Sequence, residues 1–169
     1  MSNYKRKTRA CTFEELQPTL HQALRAYISA HELTGIEAQI LICCETLSER
    51  QKTSVLETLF GEDRDLVYYL AAFLTPEWLV WARNGDHTKT TVVAAKLKDI
   101  HVRQMAFLTV NDTGIDIEGF VDGSFSKIHG YIALGPEPAA EEFWKAVQKA
   151  VVTANPPRRL MDLFGKRPQ

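Results

Sequence analysis

Between residues 65 and 134 the chain reverses character every few residues, and this punctuation constrains the fold more than any other feature. Apolar or alternating runs at 65–74, 78–83, 90–96, 100–105, 107–110, 115–120 and 127–134 read as strands. Turn chemistry separates them at Thr75-Pro76-Glu77, Asn84-Gly85-Asp86, Asn111-Asp112-Thr113-Gly114 and Asp122-Gly123, because Asn and Gly accept the positive φ that tight turns need. In 115–120, Ile115, Ile117 and Gly119 alternate with Asp116, Glu118 and Phe120, the period of a strand with one buried face. No crossover helix separates these runs, so an antiparallel sandwich or barrel is expected rather than a parallel sheet. No internal repeat of fixed period interrupts the pattern.

Helical grammar appears at both flanks. Phe13, Leu16, Leu20, Leu24 and Tyr27 line one helical face, and Thr12 with Glu15 forms a capping-box pattern. Pro18 cannot sit inside a regular helix, so either the first turn is separate or the helix starts at Pro18, with Thr34-Gly35 as its stop. Residues 36–44 fit a strand or a buried helix, and 48–60 read as a short helix capped by Ser48 and ended by Gly61. A final helix is expected over 139–154, with Pro138 near its first position and Glu141 and Glu142 complementing its dipole. Its apolar face is Phe143, Val147, Ala150 and Ala154, flanked by Trp144 and Val151.

A chain of this length buries about 70% of its unfolded surface, enough to fold without metal or disulfide. Its apolar stretches reach only about eight to ten residues, too short to cross a bilayer as a helix. No apolar core follows the basic first residues, so no secretory signal is expected. Cys11, Cys43 and Cys44 are odd in number and lack a C-x-x-C spacing, which suits a reducing, cytoplasmic location. The ends are basic: Lys5, Arg6, Lys7 and Arg9 before residue 10, and Arg158, Arg159, Lys166 and Arg167 beyond 154. Residues 10–154 hold 12 bases against 20 acids. An acidic body argues against nucleic acid, which needs a continuous basic face. The basic ends either attract anionic partners or keep disordered termini soluble.

Strand order followed by one C-terminal helix resembles the pleckstrin-homology-like fold, including its bacterial PH and GRAM-type branches. The likeness is carried by Leu74-Thr75-Pro76-Glu77-Trp78-Leu79-Val80-Trp81-Ala82-Arg83, similar to a hairpin of such domains, by Val92–Ile100 and by 139–151. The resemblance implies an α+β fold, an antiparallel PH-like sandwich or barrel of about seven strands closed by the C-terminal helix and preceded by an N-terminal one. Residues 1–35 would be a basic arm and helix, 36–154 the PH-like domain and 155–169 a basic tail. Trp144 would plug the open end of the barrel. It also implies a binding scaffold for inositol lipids, peptides or partner domains. The basic cluster of phosphoinositide binders is not matched, since Arg50, Lys52 and Arg64 stand among six acids in 45–65.

The chain carries no G-x-S-x-G, H-E-x-x-H, phosphate-binding loop or dinucleotide fingerprint, and its five histidines are scattered. No catalytic residue, metal or cofactor is assigned. Cys43 and Cys44 with a remote histidine would be the nearest approach to a zinc site, the alternative being packed core thiols. Asp116 and Glu118 share a strand face and either share a proton or are simply solvated. Asn111-Asp112-Thr113 matches a glycosylation sequon but reads as a turn. Two candidate binding features remain. Lys96 and Lys98, on one strand face with Lys89 and Arg103 nearby, form a basic strip or an edge protected by lysines. In the tail, Leu160, Leu163 and Phe164 beside Arg158 and Arg159 fit one helical turn that docks in a groove, on an anionic membrane or back on its own domain. The sequence therefore points to a non-catalytic module that binds a protein partner or self-associates. The alternative is a peripheral binder of anionic membranes through basic termini.

Overall fold

The central strands read as unbroken apolar runs because both faces of their sheet are covered. In the computed structural model the described residues are 4–51, 66–106, 113–120 and 127–156. Strands β1 (Tyr4–Ala10), β2 (Ile42–Arg50), β3 (Val67–Leu74), β4 (Trp78–Gly85) and β5 (Thr91–Lys96) form an antiparallel sheet in sequence order. A second antiparallel sheet contains β6 (Ile100–Ala106), β7 (Thr113–Phe120) and β8 (Lys127–Leu134). Helix α1 (Pro18–Ala30) covers the outer face of the five-stranded sheet. The three-stranded sheet and helix α2 (Pro138–Ala154) cover its inner face.

The alternation of strand side chains sorts two cores across one sheet. Toward α1 point Cys43, Ala71, Phe73, Val80, Ala82 and Ala94, met by Leu20, Leu24 and Ile28 of the helix and by Phe13, Leu16 and Ile36. Small side chains on β3, β4 and β5 let the helix approach, and Phe13 meets Phe73 edge to face at 5.7 Å. Toward α2 point Cys44, Leu70, Ala72, Leu74, Leu79 and Trp81, packed on Ile115, Ile117 and Ile132 and on Phe143, Trp144 and Val147. Trp144 lies buried within this inner core. Trp81 packs so tightly on β8 that a Cβ at Gly130 would stand 2.6 Å from its ring.

Several sequence expectations need correction. Residues 4–10 are not a disordered arm but the edge strand β1: Lys5, Lys7 and Arg9 point outward, while Arg6 and Thr8 point inward and are buried. Arg6 Nη2 donates to the Tyr68 hydroxyl, and its guanidinium stands over the rings of Tyr4 and Tyr131. Polar side chains that bury their stems hide a strand from hydropathy. Ser48 is no helix cap; it is buried within β2, which runs on to Arg50, and residues 52–60 of the expected 48–60 helix lie outside the described residues. Of residues 36–44, expected as strand or buried helix, Glu37–Gln39 form a 3-10 turn and Ile42, Cys43 and Cys44 begin β2. The N-terminal helical pattern divides at Pro18 as expected: Phe13–Glu15 is a separate 3-10 turn with the Thr12–Glu15 capping box, and Pro18 opens α1. Helix α1 stops at Ala30, before Gly35, which takes a φ of 80°. The expected α+β antiparallel sandwich is present among the described residues as two sheets of five and three strands. The strand expected at 107–110, the turn at 122–123 and the tail beyond 156 lie outside the described residues.

Each edge of the large sheet has one backbone group engaged by another part of the chain. On β1 the Thr8 N–H donates to Glu137 Oε2 at 2.8 Å, and the Gly135 N–H donates to Thr8 Oγ1 at 2.7 Å. On β5 the Ala94 backbone is hydrogen-bonded to the Tyr27 hydroxyl, whose pKa is raised by burial. One backbone group on each edge is thus engaged by another part of the chain, which interrupts the row that a further strand would pair with.

Candidate functional site

Lys98 is held out from the fold between the buried side chains of Leu97 and Ile100. The chain passes from β5 to β6 through a 3-10 turn, Leu97–Asp99, whose Leu97 is buried with the following Ile100. The Leu97 N–H donates to the Glu77 carbonyl at 2.9 Å, and the Leu97 carbonyl accepts from Asn155 Nδ2 at 2.8 Å. These bonds pin the turn to the β3–β4 loop and to the end of α2. The side chain of Lys98 stands exposed between two open clefts.

The larger cleft, about 640 Å³, is lined by Lys98, Asp99, His101, Glu118, Lys127 and His129. Its floor follows from strand register: His101 lies opposite Glu118, and Glu118 opposite His129, on the face away from the core. The adjoining cleft, about 370 Å³, is lined by Pro76, Glu77, Lys96, Leu97, Lys98 and Ala154. Lys96 extends over the Trp78 ring at 5.2 Å, a cation–π contact. Bases, acids and imidazoles thus alternate around Lys98, and their apolar stems and ring carbons supply much of the clefts' lining surface.

The next row of the small sheet places Arg103 opposite Asp116 and Asp116 opposite Tyr131. Arg103 Nη2 donates to Asp116 Oδ2 at 3.1 Å and also to Glu118 Oε1, and His129 Nδ1 stands 3.7 Å from Asp116 Oδ1. Asp116, Glu118 and His129 bring donor atoms within 4.8 Å of one another. A cation there would have to displace the Arg103 guanidinium, so the cluster as built is an ion-pair network. Asp116 and Glu118 do share a strand face, and Arg103 bridges them.

The expected basic strip is only partly assembled. Lys96 and Lys98 flank the smaller cleft, but Lys98 lies on the 3-10 turn rather than on a strand face with Lys96. Lys89 precedes the opposite end of β5, about 20 Å away at the rise of an extended chain. Arg103 is engaged with two carboxylates. Arg158, Arg159, Leu160, Leu163 and Phe164 lie outside the described residues. Cys43 and Cys44 enter different cores, on opposite faces of the sheet, and cannot converge on one ion. Sequence reading missed His101, Lys127 and His129 as a group, because they meet only through the pairing of β6, β7 and β8. It also missed Cys11 and Cys43, whose sulfurs lie 3.9 Å apart. No family model matches the chain, and no curated protein matches it.

Proposed function

We propose that this chain is a non-catalytic interaction module of PH-like architecture that holds a segment of a protein partner in the clefts beside Lys98. The carrying observation is the rigidly presented Lys98 between two open clefts of mixed charge. Such a surface suits a hydrated, polar contact with an extended segment of both charges, in the manner of a protein–protein rim. Clefts as open as these offer little to enclose a small substrate. The engaged Thr8 N–H on β1 and Ala94 backbone on β5 interrupt the edges of the large sheet, which favours a different protein over strand-to-strand self-association there.

Docking on anionic membranes through the termini has less support. Of the four N-terminal bases, Arg6 is buried and Arg9 is paired with Glu45, leaving Lys5 and Lys7 as the outward pair on β1. Affinity capture from extract of the cells that make this protein tests the reading. A partner retained by wild type and by Ser29→Glu on exposed α1, but lost with Lys98→Glu, is the expected result. Equal retention by all three would remove the clefts from the account.

A further inference from the structure

The register of β1 on β2, with Ala10 opposite Cys44, continues one residue further and sets Cys11 opposite Cys43. The Cys11 N–H donates to the Cys43 carbonyl at 3.2 Å, so the two backbones stay paired beyond the end of β1. Directly opposed residues of antiparallel strands hold their Cα atoms about 4.5–5.5 Å apart. That spacing falls inside the range a disulfide spans. Both thiols are free, and small χ1 rotations would bring their sulfurs from 3.9 Å to bonding distance.

The geometry points to Cys11 and Cys43 as a hydroperoxide-sensitive dithiol that closes to a disulfide, tying the end of β1 to β2 across the segment that carries α1. The two thiols are unequal in the way such a reaction needs. Cys11 is partly exposed, whereas Cys43 is buried in the core beneath α1. The Cys43 thiol, hydrogen-bonded to the Cys11 sulfur, and the Arg9 guanidinium hold the Cys11 pKa below its ordinary value despite partial burial. The same contact and burial push Cys43 up, which keeps it a thiol. Thiolate character and access decide which cysteine meets an oxidant first.

In the first step the Cys11 thiolate attacks one peroxide oxygen. The O–O bond breaks, the other oxygen leaves as hydroxide and is protonated, and Cys11 becomes a sulfenic acid. Cys43 sulfur then attacks Cys11 sulfur; the S–S bond forms, the S–O bond breaks, and the Cys43 proton leaves with the hydroxide as water. Two thiols lose two electrons and hydrogen peroxide becomes two waters. Cys44, although adjacent in sequence, points into the opposite core and is out of reach for this chemistry.

The test uses the full chain and hydrogen peroxide, read by intact mass and a non-reducing peptide map, with dithiothreitol reversal. Wild type and Cys44→Ala are expected to lose two hydrogens and yield a Cys11–Cys43 linked peptide that dithiothreitol separates. Cys43→Ala is expected to stop at a sulfenic acid that dimedone traps on Cys11, and Cys11→Ser to form no internal link. Melting curves of the reduced variants confirm folding, and the wild-type map decides the matter without them. A link that includes Cys44, a disulfide between two chains, or Cys11 carried to sulfinic acid beside an unreacted Cys43 would overturn the proposal.

Discussion

Replacing Glu45 with alanine removes the acceptor for donors that arrive from two separate parts of the chain. Its Oε1 accepts from Arg9 Nε at 3.2 Å and Nη2 at 3.0 Å, and its Oε2 accepts the Gln17 N–H at 2.6 Å. Gln17 in turn caps α1, its side chain accepting the Leu20 N–H at 3.0 Å. One nearly buried carboxylate therefore joins β1, β2 and the start of α1. A hydrogen bond to a charged group contributes about 1.5–3 kcal/mol. The Arg9 side chain is 52% exposed and rehydrates when its partner goes, so its share is near the surface value of about 0–1 kcal/mol. The expected loss for Glu45→Ala is then about 2–3 kcal/mol, with Arg9→Ala at about 1 kcal/mol or less. In urea unfolding, at a slope of about 2 kcal/mol per molar, Glu45→Ala lowers the midpoint by about 1 M. A loss under about 0.5 kcal/mol, or an Arg9→Ala loss equal to that of Glu45→Ala, would refute the assignment of the larger share to the Gln17 bond.

Other expectations follow from the same structure. Leu24→Ala, buried under α1, should cost about 2–5 kcal/mol in urea unfolding, while Leu41→Ala, 65% exposed, should stay within about 0.5 kcal/mol. Equal small losses would mean that α1 does not cover the sheet. Gly130→Ala forces a methyl against Trp81 and should cost about 1–3 kcal/mol by the same assay; a neutral result would show that the ring can withdraw. Glu15 has a folded pKa below its ordinary value because it accepts the Thr12 N–H and hydroxyl. A depressed carboxyl stabilises above its unfolded pKa and loses that contribution as pH falls through the folded one. Glu15→Gln should therefore melt below wild type at neutral pH and converge with it in acid, and a deficit constant with pH would contradict this.

The strands from 67 to 105 and α2 were legible because their burial is written in apolar residues with turn chemistry between them. The start of β1 was not, since Arg6 and Thr8 are buried by reaching tyrosines, a threonine and a backbone rather than by being apolar. The second core was illegible for a related reason. Continuous burial of Leu70–Leu74 records that both faces are covered, but the sequence does not say that α1 is the cover. At the site, Lys96, Lys98 and Arg103 could be named one by one. Their surroundings could not, because His101, Glu118 and His129 become neighbours only through the register of three strands. Cys11 and Cys43, distant in sequence, likewise meet only through the pairing of β1 with β2.

The central claim is that a partner protein occupies the clefts beside Lys98, and site-specific photo-crosslinking measures this most directly. A photoreactive residue would be placed in turn at position 98, at 127 across the larger cleft, and at the exposed positions 29 on α1 and 152 on α2. In extract of the producing cells, positions 98 and 127 should give the same defined adduct, while 29 and 152 give none. Adducts from 29 or 152 alone, or none from any position while the protein remains folded, would contradict the account.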